Sequence, residues 1–164
     1  MHSLGGMIRR RVRTFKLLIP PPIVALITAL AMWGAGYLLP AFRLQFPFQT
    51  ILSVSLIVIG IALDLISILA FRTAKTTVTP IAPQKASSLV VHGLYRFTRN
   101  PMYLGLLLIL SGIAVLIGST LNLITFAAFI AYITAFQIRP EEESLQEIFG
   151  PDYTRYCDRV RRWI

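Results

Sequence analysis

Arg99, Tyr103, Glu141 and Glu142 are the residues whose types and spacing could do chemistry together. Arg99 stands before Asn100-Pro101-Met102-Tyr103, where a basic loop meets an apolar stretch. Asn is a good N-cap, and Pro at the first helical position has no N–H to leave unpaired. The spacing therefore predicts a helix from Pro101, its positive dipole end beside Arg99, as a site for a carboxylate. Arg99 and Tyr103 are four apart and share a face at that helix start. Some forty residues on come Glu141-Glu142-Glu143. These acids could equally be first-turn residues favoured by the dipole of a helix after Pro140, just as Arg99 alone could be one more topology-setting cation. Taken together, a cationic wall, an acidic wall and aromatics between them suit a zwitterionic or mixed-charge ligand. Two further places bear on this pocket. His92-Gly93-Leu94-Tyr95 lies in the loop just before Arg99, where Gly93 would allow close backbone approach to a ligand and His92 is a polar loop residue that could touch it. Asp64 lies inside an apolar block, eight residues before Arg72, or ~12 Å along a helix. A charged Asp at a span centre costs ~2.5–3.5 kcal/mol, so it must line a site or hydrogen-bond another helix in its protonated form.

The elements that would hold these residues are membrane spans. The 164 residues are 55% hydrophobic and 14% charged, with a mean hydropathy of +0.69, and the apolar residues fall in long blocks. The expected architecture is all-α and integral to the membrane. It has about four transmembrane helices (Ile23 to Leu39, Thr50 to Phe71, Pro101 to Ile117 and Leu121 to Ile138), the last two forming a hairpin across Gly118-Ser119-Thr120. Short cytoplasmic helices follow, one after Pro140 and one after Gly150-Pro151, and Arg161-Arg162-Trp163 resembles an interfacial anchor. We read one membrane domain: a basic interfacial arm (1–22), two spans (23–71), a cytoplasmic loop (72–100), the hairpin (101–138) and a tail (139–164). Ile8, Val12, Phe15 and Ile19 recur in the arm at helical spacing, which suits a helix lying on anionic lipid; a basic tail that only sets topology explains it as well. Fifteen of sixteen Lys and Arg residues fall on one side of these spans, which puts both termini and the long loop in the cytoplasm. The net charge of +9 flanks the apolar blocks, so the expected partners are membrane lipids and no nucleic acid. Cys157 stands alone, there is no Cys/His metal spacing, and so no metal is expected. No removable signal peptide is expected either.

Three segments, TTVTP from Thr76, LVVHGLYRFTRNPMYLG from Leu89, and QIRPEEESLQEIFGPDYTRYCDRVRRWI from Gln137, closely resemble the isoprenylcysteine carboxyl methyltransferase and phospholipid methyltransferase superfamily in its bacterial branch. They cover roughly the C-terminal half, and their order and spacing are more specific than any one alone. The resemblance implies an S-adenosylmethionine-dependent methyltransferase of the bacterial inner membrane, acting at the cytoplasmic face on a lipophilic acceptor, a carboxylate of the isoprenylcysteine type. It implies a cofactor pocket built from Gly93, Leu94, Tyr95, Arg99, Pro101, Tyr103, Glu141 and Glu142; the reading of the residues adds His92 and Asn100 to the cofactor side, makes Arg99 and Glu142 the catalytic candidates, and puts Asp64 on the acceptor side. The family often has His where this chain has Asn100. An amine N-methyltransferase acting on phospholipid, an NADPH-dependent sterol-type reductase and a non-catalytic membrane scaffold are the alternatives. The paired glutamates and the Arg-Asn-Pro-Met-Tyr run favour methyl transfer.

Overall fold

The structure, a computed structural model, describes residues 19–73 and 88–164. The arm before Ile19 and the Thr76–Pro80 run lie outside the described residues. Six helices make up the rest: α1 (Pro21–Leu38), α2 (Gln49–Thr73), α3 (Pro101–Ile117), α4 (Asn122–Ile133), α5 (Arg139–Phe149) and α6 (Pro151–Arg159). Short 3-10 turns occupy Pro40–Phe42 and Gly93–Arg96. The described residues contain no strand, only an isolated bridge between Arg43 and Ser119.

Three helical stretches are long and apolar enough to cross a membrane: α1, α2, and the run Asn122–Phe149. Their outer faces are apolar, with Leu26, Leu30, Trp33, Val58, Leu65 and Leu69 all exposed. Water would not tolerate that surface; lipid does, because each helix satisfies its own backbone. The shorter α3 is the hub and touches α1, α2 and α4.

The tightest seam joins α2 to α3 through small residues at heptad spacing. Ser53, Gly60 and Ser67 are the buried residues of α2, and Gly105 and Gly112 lie seven apart on α3. A side chain on Gly60 would put its Cβ 2.6 Å from the Gly105 carbonyl oxygen. Ser53 Oγ donates to the Gly112 carbonyl at 2.8 Å. Between apolar helices in lipid, such close backbone approach and hydrogen bonding supply the association energy. At the far end, Gly118 turns the chain at φ 72° and its carbonyl accepts Leu44 N–H at 2.8 Å, so the α1–α2 loop packs on the α3–α4 turn.

The fourth span departs from expectation. It does not stop at Ile138 and restart after Pro140: helix runs without a break from Asn122 to Phe149 through a π-turn at Thr134–Ile138. Pro140 cannot donate a main-chain bond, and a wider turn just before it absorbs the mismatch inside the helix. Gln137, in that turn, is buried and donates through Nε2 to the Ile19 carbonyl at 2.7 Å. The turn thus clamps the start of α1 and carries the glutamates directly on the end of a long helix.

Candidate active site

A cavity of about 410 Å³ lies where the ends of α1, α2, α3 and α5 converge. Its walls are Pro20, Pro21 and Pro22 at the start of α1, Asp64, Ile68 and Phe71 on α2, and Met102, Tyr103 and Leu106 on α3. Ser88, Leu89, Val90 and Tyr95 close it from the loop, Arg99 and Asn100 from the start of α3, and Glu141, Glu142, Leu145, Tyr153 and Tyr156 from α5 and α6. The volume falls within the ~300–1,000 Å³ usual for small-molecule sites.

One wall is polar and cross-linked. Arg99 Nη2 donates to Glu142 Oε1 at 2.9 Å, and Tyr103 Oη donates to Glu141 Oε2 at 2.9 Å. The α3–α4 hairpin thus returns the two acids to Arg99, just before α3, and Tyr103, in its first turn. Arg162 completes the arrangement. Its Nε donates to Glu142 Oε1 at 3.0 Å and its Nη2 to Oε2 at 2.7 Å. Glu142 is therefore held by two guanidiniums, one of them in a bidentate fork. The hydrogen bond to Glu142 raises the Arg162 pKa further above its already high value.

The start of α3 is built differently from the sequence reading. Asn100 precedes Pro101 as the N-cap residue, yet its side chain makes no cap bond. Its Nδ2 donates instead to the Arg162 carbonyl at 2.9 Å. Thr98 Oγ1 donates to that same carbonyl at 3.3 Å and receives Asn100 N–H at 3.1 Å, and Arg99 N–H donates to the Arg161 carbonyl at 3.0 Å. An amide side chain can serve its own helix end or a neighbouring carbonyl; here the tail supplies the carbonyl. Residues 161–163 lie as a strap along 98–100, pinned by Trp163 against the core of Met32, Tyr103 and Ile138.

The loop before α3 is seated by aromatics. Tyr95 is buried, packs edge-to-face on Phe71 at 5.3 Å, and its carbonyl accepts Tyr156 Oη at 2.7 Å. Burial, then the Glu141 charge, pushes the Tyr95 phenol well above its usual range; burial does the same to Tyr153 and Tyr156. All three rings are uncharged hydrogen-bonding groups on the cavity wall.

Among the expected site residues, Tyr95, Arg99, Asn100, Tyr103, Glu141, Glu142 and Asp64 share the cavity. His92, Gly93, Leu94 and Pro101 are not among its lining residues. His92 is exposed and lends its carbonyl to Tyr95 N–H; Leu94 lends its carbonyl to Phe97 and Thr98. Pro101 is buried at the first turn of α3. A Cβ on Gly93 would meet no protein atom within 4 Å, and the position favours glycine for its φ of 62°. The sequence reading missed Arg162, Tyr153 and Tyr156 as site residues. The tyrosines carried a signal, since spacing of three places both on one face of α6; Arg162 carried none.

Fold and site together define a polytopic membrane protein with a largely apolar cavity, one wall of it polar, at one end of its helices. Residues 48–152 match the phospholipid methyltransferase family model. The chain belongs to the phospholipid methyltransferase family and is a membrane methyltransferase. Protein-S-isoprenylcysteine O-methyltransferase B of Arabidopsis thaliana is 29% identical over 106 residues, 65% of this chain and 54% of that one, so the chain spans about half of that relative's length. A probable protein-S-isoprenylcysteine O-methyltransferase of Oryza sativa subsp. indica is 25% identical over 154 residues, 93% of this chain and 80% of that one. An uncharacterized protein of Haemophilus influenzae is 44% identical over 63 residues, 38% of this chain and all of its own length. No solved structure matches.

Proposed function

We propose that the chain binds S-adenosylmethionine in the cavity and transfers its methyl group to a lipophilic acceptor that arrives from the bilayer. The observation that carries this reading is the pair of contacts Arg99–Glu142 and Tyr103–Glu141 on the wall of an otherwise apolar cavity. The donor carries a carboxylate, an ammonium and a sulfonium. The residues fit it: Arg99 Nε is buried with no hydrogen-bond partner, which leaves a donor for the carboxylate, and the glutamates offer acceptors for the ammonium or the ribose hydroxyls.

When bound, S-adenosylmethionine supplies a methyl group on a sulfonium, open to in-line displacement. The protein's own task is alignment and exclusion of water. Arg99, fixed by Glu142 and by its main-chain bond to the strap, orients the carboxylate end. Tyr95, Tyr153 and Val90, all buried, line the cavity and help to exclude water. The acceptor reaches the cavity between α1 and α2, which both pack on α3 and both line the cavity. A path between the α3–α4 hairpin and α2 is closed by the Gly60–Gly105 seam. In this reading the cavity opens at the cytoplasmic face of a bacterial inner membrane, with both termini on that side; the resemblance to the superfamily and the charge count support it.

Calorimetric titration of the purified protein in detergent tests this. S-adenosylmethionine should bind and NADPH should not. Binding of NADPH alone would replace methyl transfer by reduction; binding of neither would remove the proposal.

A further inference from the structure

Asp64 is the single acidic residue of α2, and the cross-linked wall does not use it. It lines the cavity together with Glu141 and Glu142. Arg99, the one guanidinium lining the cavity, is already engaged by Glu142 at 2.9 Å. Asp64 has no ion-pair partner among the described residues, and its Oδ1 is buried with no hydrogen bond. The wall opposite is kept bare for it: any side chain on Gly105 would strike the Asp64 carboxylate, and its Cβ would lie 2.8 Å from the Gly60 carbonyl oxygen. An ionisable group in an apolar span, partnerless within the protein and facing a cavity, is matched to something that enters the cavity.

We propose that Asp64 is the acceptor-side catalytic residue, binding the protonated nitrogen of an amphiphilic amine and taking its proton before methyl transfer. The inference rests on the donor reading above. The ammonium gives one proton to the Asp64 carboxylate, leaving a neutral amine with a free electron pair. That pair forms the new N–C bond as the C–S bond breaks; the sulfur keeps the bonding electrons and becomes a neutral thioether, and the nitrogen regains its positive charge. A carboxylate acceptor would instead enter beside Asp64 and Glu141, neither of them paired with an arginine among the described residues, while Arg99 and Arg162 are both engaged by Glu142; the same charges would oppose it.

The test uses the full chain in nanodiscs of neutral lipid, as wild type and as Asp64→Asn, which keeps the shape and removes the charge. Dodecylamine is the amine probe, N-acetyl-S-farnesylcysteine the carboxylate probe, and dodecyltrimethylammonium a cation that cannot react. Wild type should methylate dodecylamine in preference to the farnesylcysteine. Asp64→Asn should lower kcat/KM for dodecylamine about a hundredfold, in the range for loss of a positioned proton acceptor. It should also weaken dodecyltrimethylammonium binding several-fold and leave S-adenosylmethionine affinity within about twofold. Unchanged amine turnover and ammonium binding in the variant would overturn the proposal. So would methylation of the farnesylcysteine alone, or a parallel loss of S-adenosylmethionine affinity, which would put Asp64 in the donor site or the packing. Wild type that binds no S-adenosylmethionine removes the reading beneath; binding without amine methylation removes the role of Asp64 alone.

Discussion

Replacing Arg162 by Gln probes the link between the tail and the site. The guanidinium gives Glu142 two hydrogen bonds, at 3.0 and 2.7 Å, while Arg99 gives it one at 2.9 Å. A charge-assisted bond contributes ~1.5–3 kcal/mol when buried. Here Glu142 is 17% exposed and Arg162 35%, so water screens one side of the fork. The fork as a whole should then supply about 1–2 kcal/mol. The strap itself survives the change, because Asn100 and Thr98 bond the main-chain carbonyl of residue 162 rather than its side chain. Glu142 would keep Arg99 but lose its fixed orientation. S-adenosylmethionine affinity, measured by calorimetry in detergent, should fall about five- to thirtyfold, since ~1.4 kcal/mol is tenfold. Arg162→Lys should recover only part, for want of the fork. Affinity equal to or above that of wild type would refute the claim that Arg162 orients Glu142 for the ligand.

Three further outcomes are expected. Arg99→Lys keeps charge but cannot reproduce the planar donors, so S-adenosylmethionine binding should weaken about ten- to a hundredfold; unchanged affinity would limit Arg99 to setting topology. Gly105→Ala should lower thermal stability in detergent by the equivalent of ~1–3 kcal/mol through overpacking of the α2–α3 seam, whereas Leu123→Ala, at an exposed site on α4, should leave it near wild type. In a Cys157→Ser background, a cysteine at Phe97 should react with an impermeant reagent only from the cytoplasmic side and one at Thr120 only from the other; the reverse pattern would invert the topology.

The outline of the fold was legible because the forces that set it are local and periodic. Apolar blocks bounded by prolines and basic residues gave α1, α2 and α3 to within a few residues, and Gly118-Ser119-Thr120 gave the hairpin turn. That hairpin also makes Arg99 and Tyr103 face Glu141 and Glu142, since two antiparallel helices of similar length return the chain to its starting level. Three features were out of reach for one physical reason: each depends on a partner remote in sequence. Asn100 reads as a cap until the carbonyl of Arg162 competes for its amide. Arg162 reads as a membrane anchor until the strap brings it under Glu142. Pro140 reads as a helix start, yet the packing of Gln137 on Ile19 lets a π-turn carry the helix through it. Asp64 was identifiable as anomalous from hydropathy alone; the bare glycine opposite it, and the cavity it lines, came from the packing of α2 on α3.

The claim that the donor sits against the Arg99–Glu142 wall can be tested directly by ultraviolet cross-linking of methyl-tritiated S-adenosylmethionine to the purified protein, with the labelled peptides mapped by mass spectrometry. The account predicts label within residues 88–106 and 139–156, which hold Tyr95, Tyr103, Tyr153 and Tyr156 beside the cavity. Excess unlabelled donor should remove it, and Arg99→Lys should reduce it. Specific label confined to the opposite end of the bundle, in the smaller cavity lined by Phe46, Gly118 and Phe126, would contradict it.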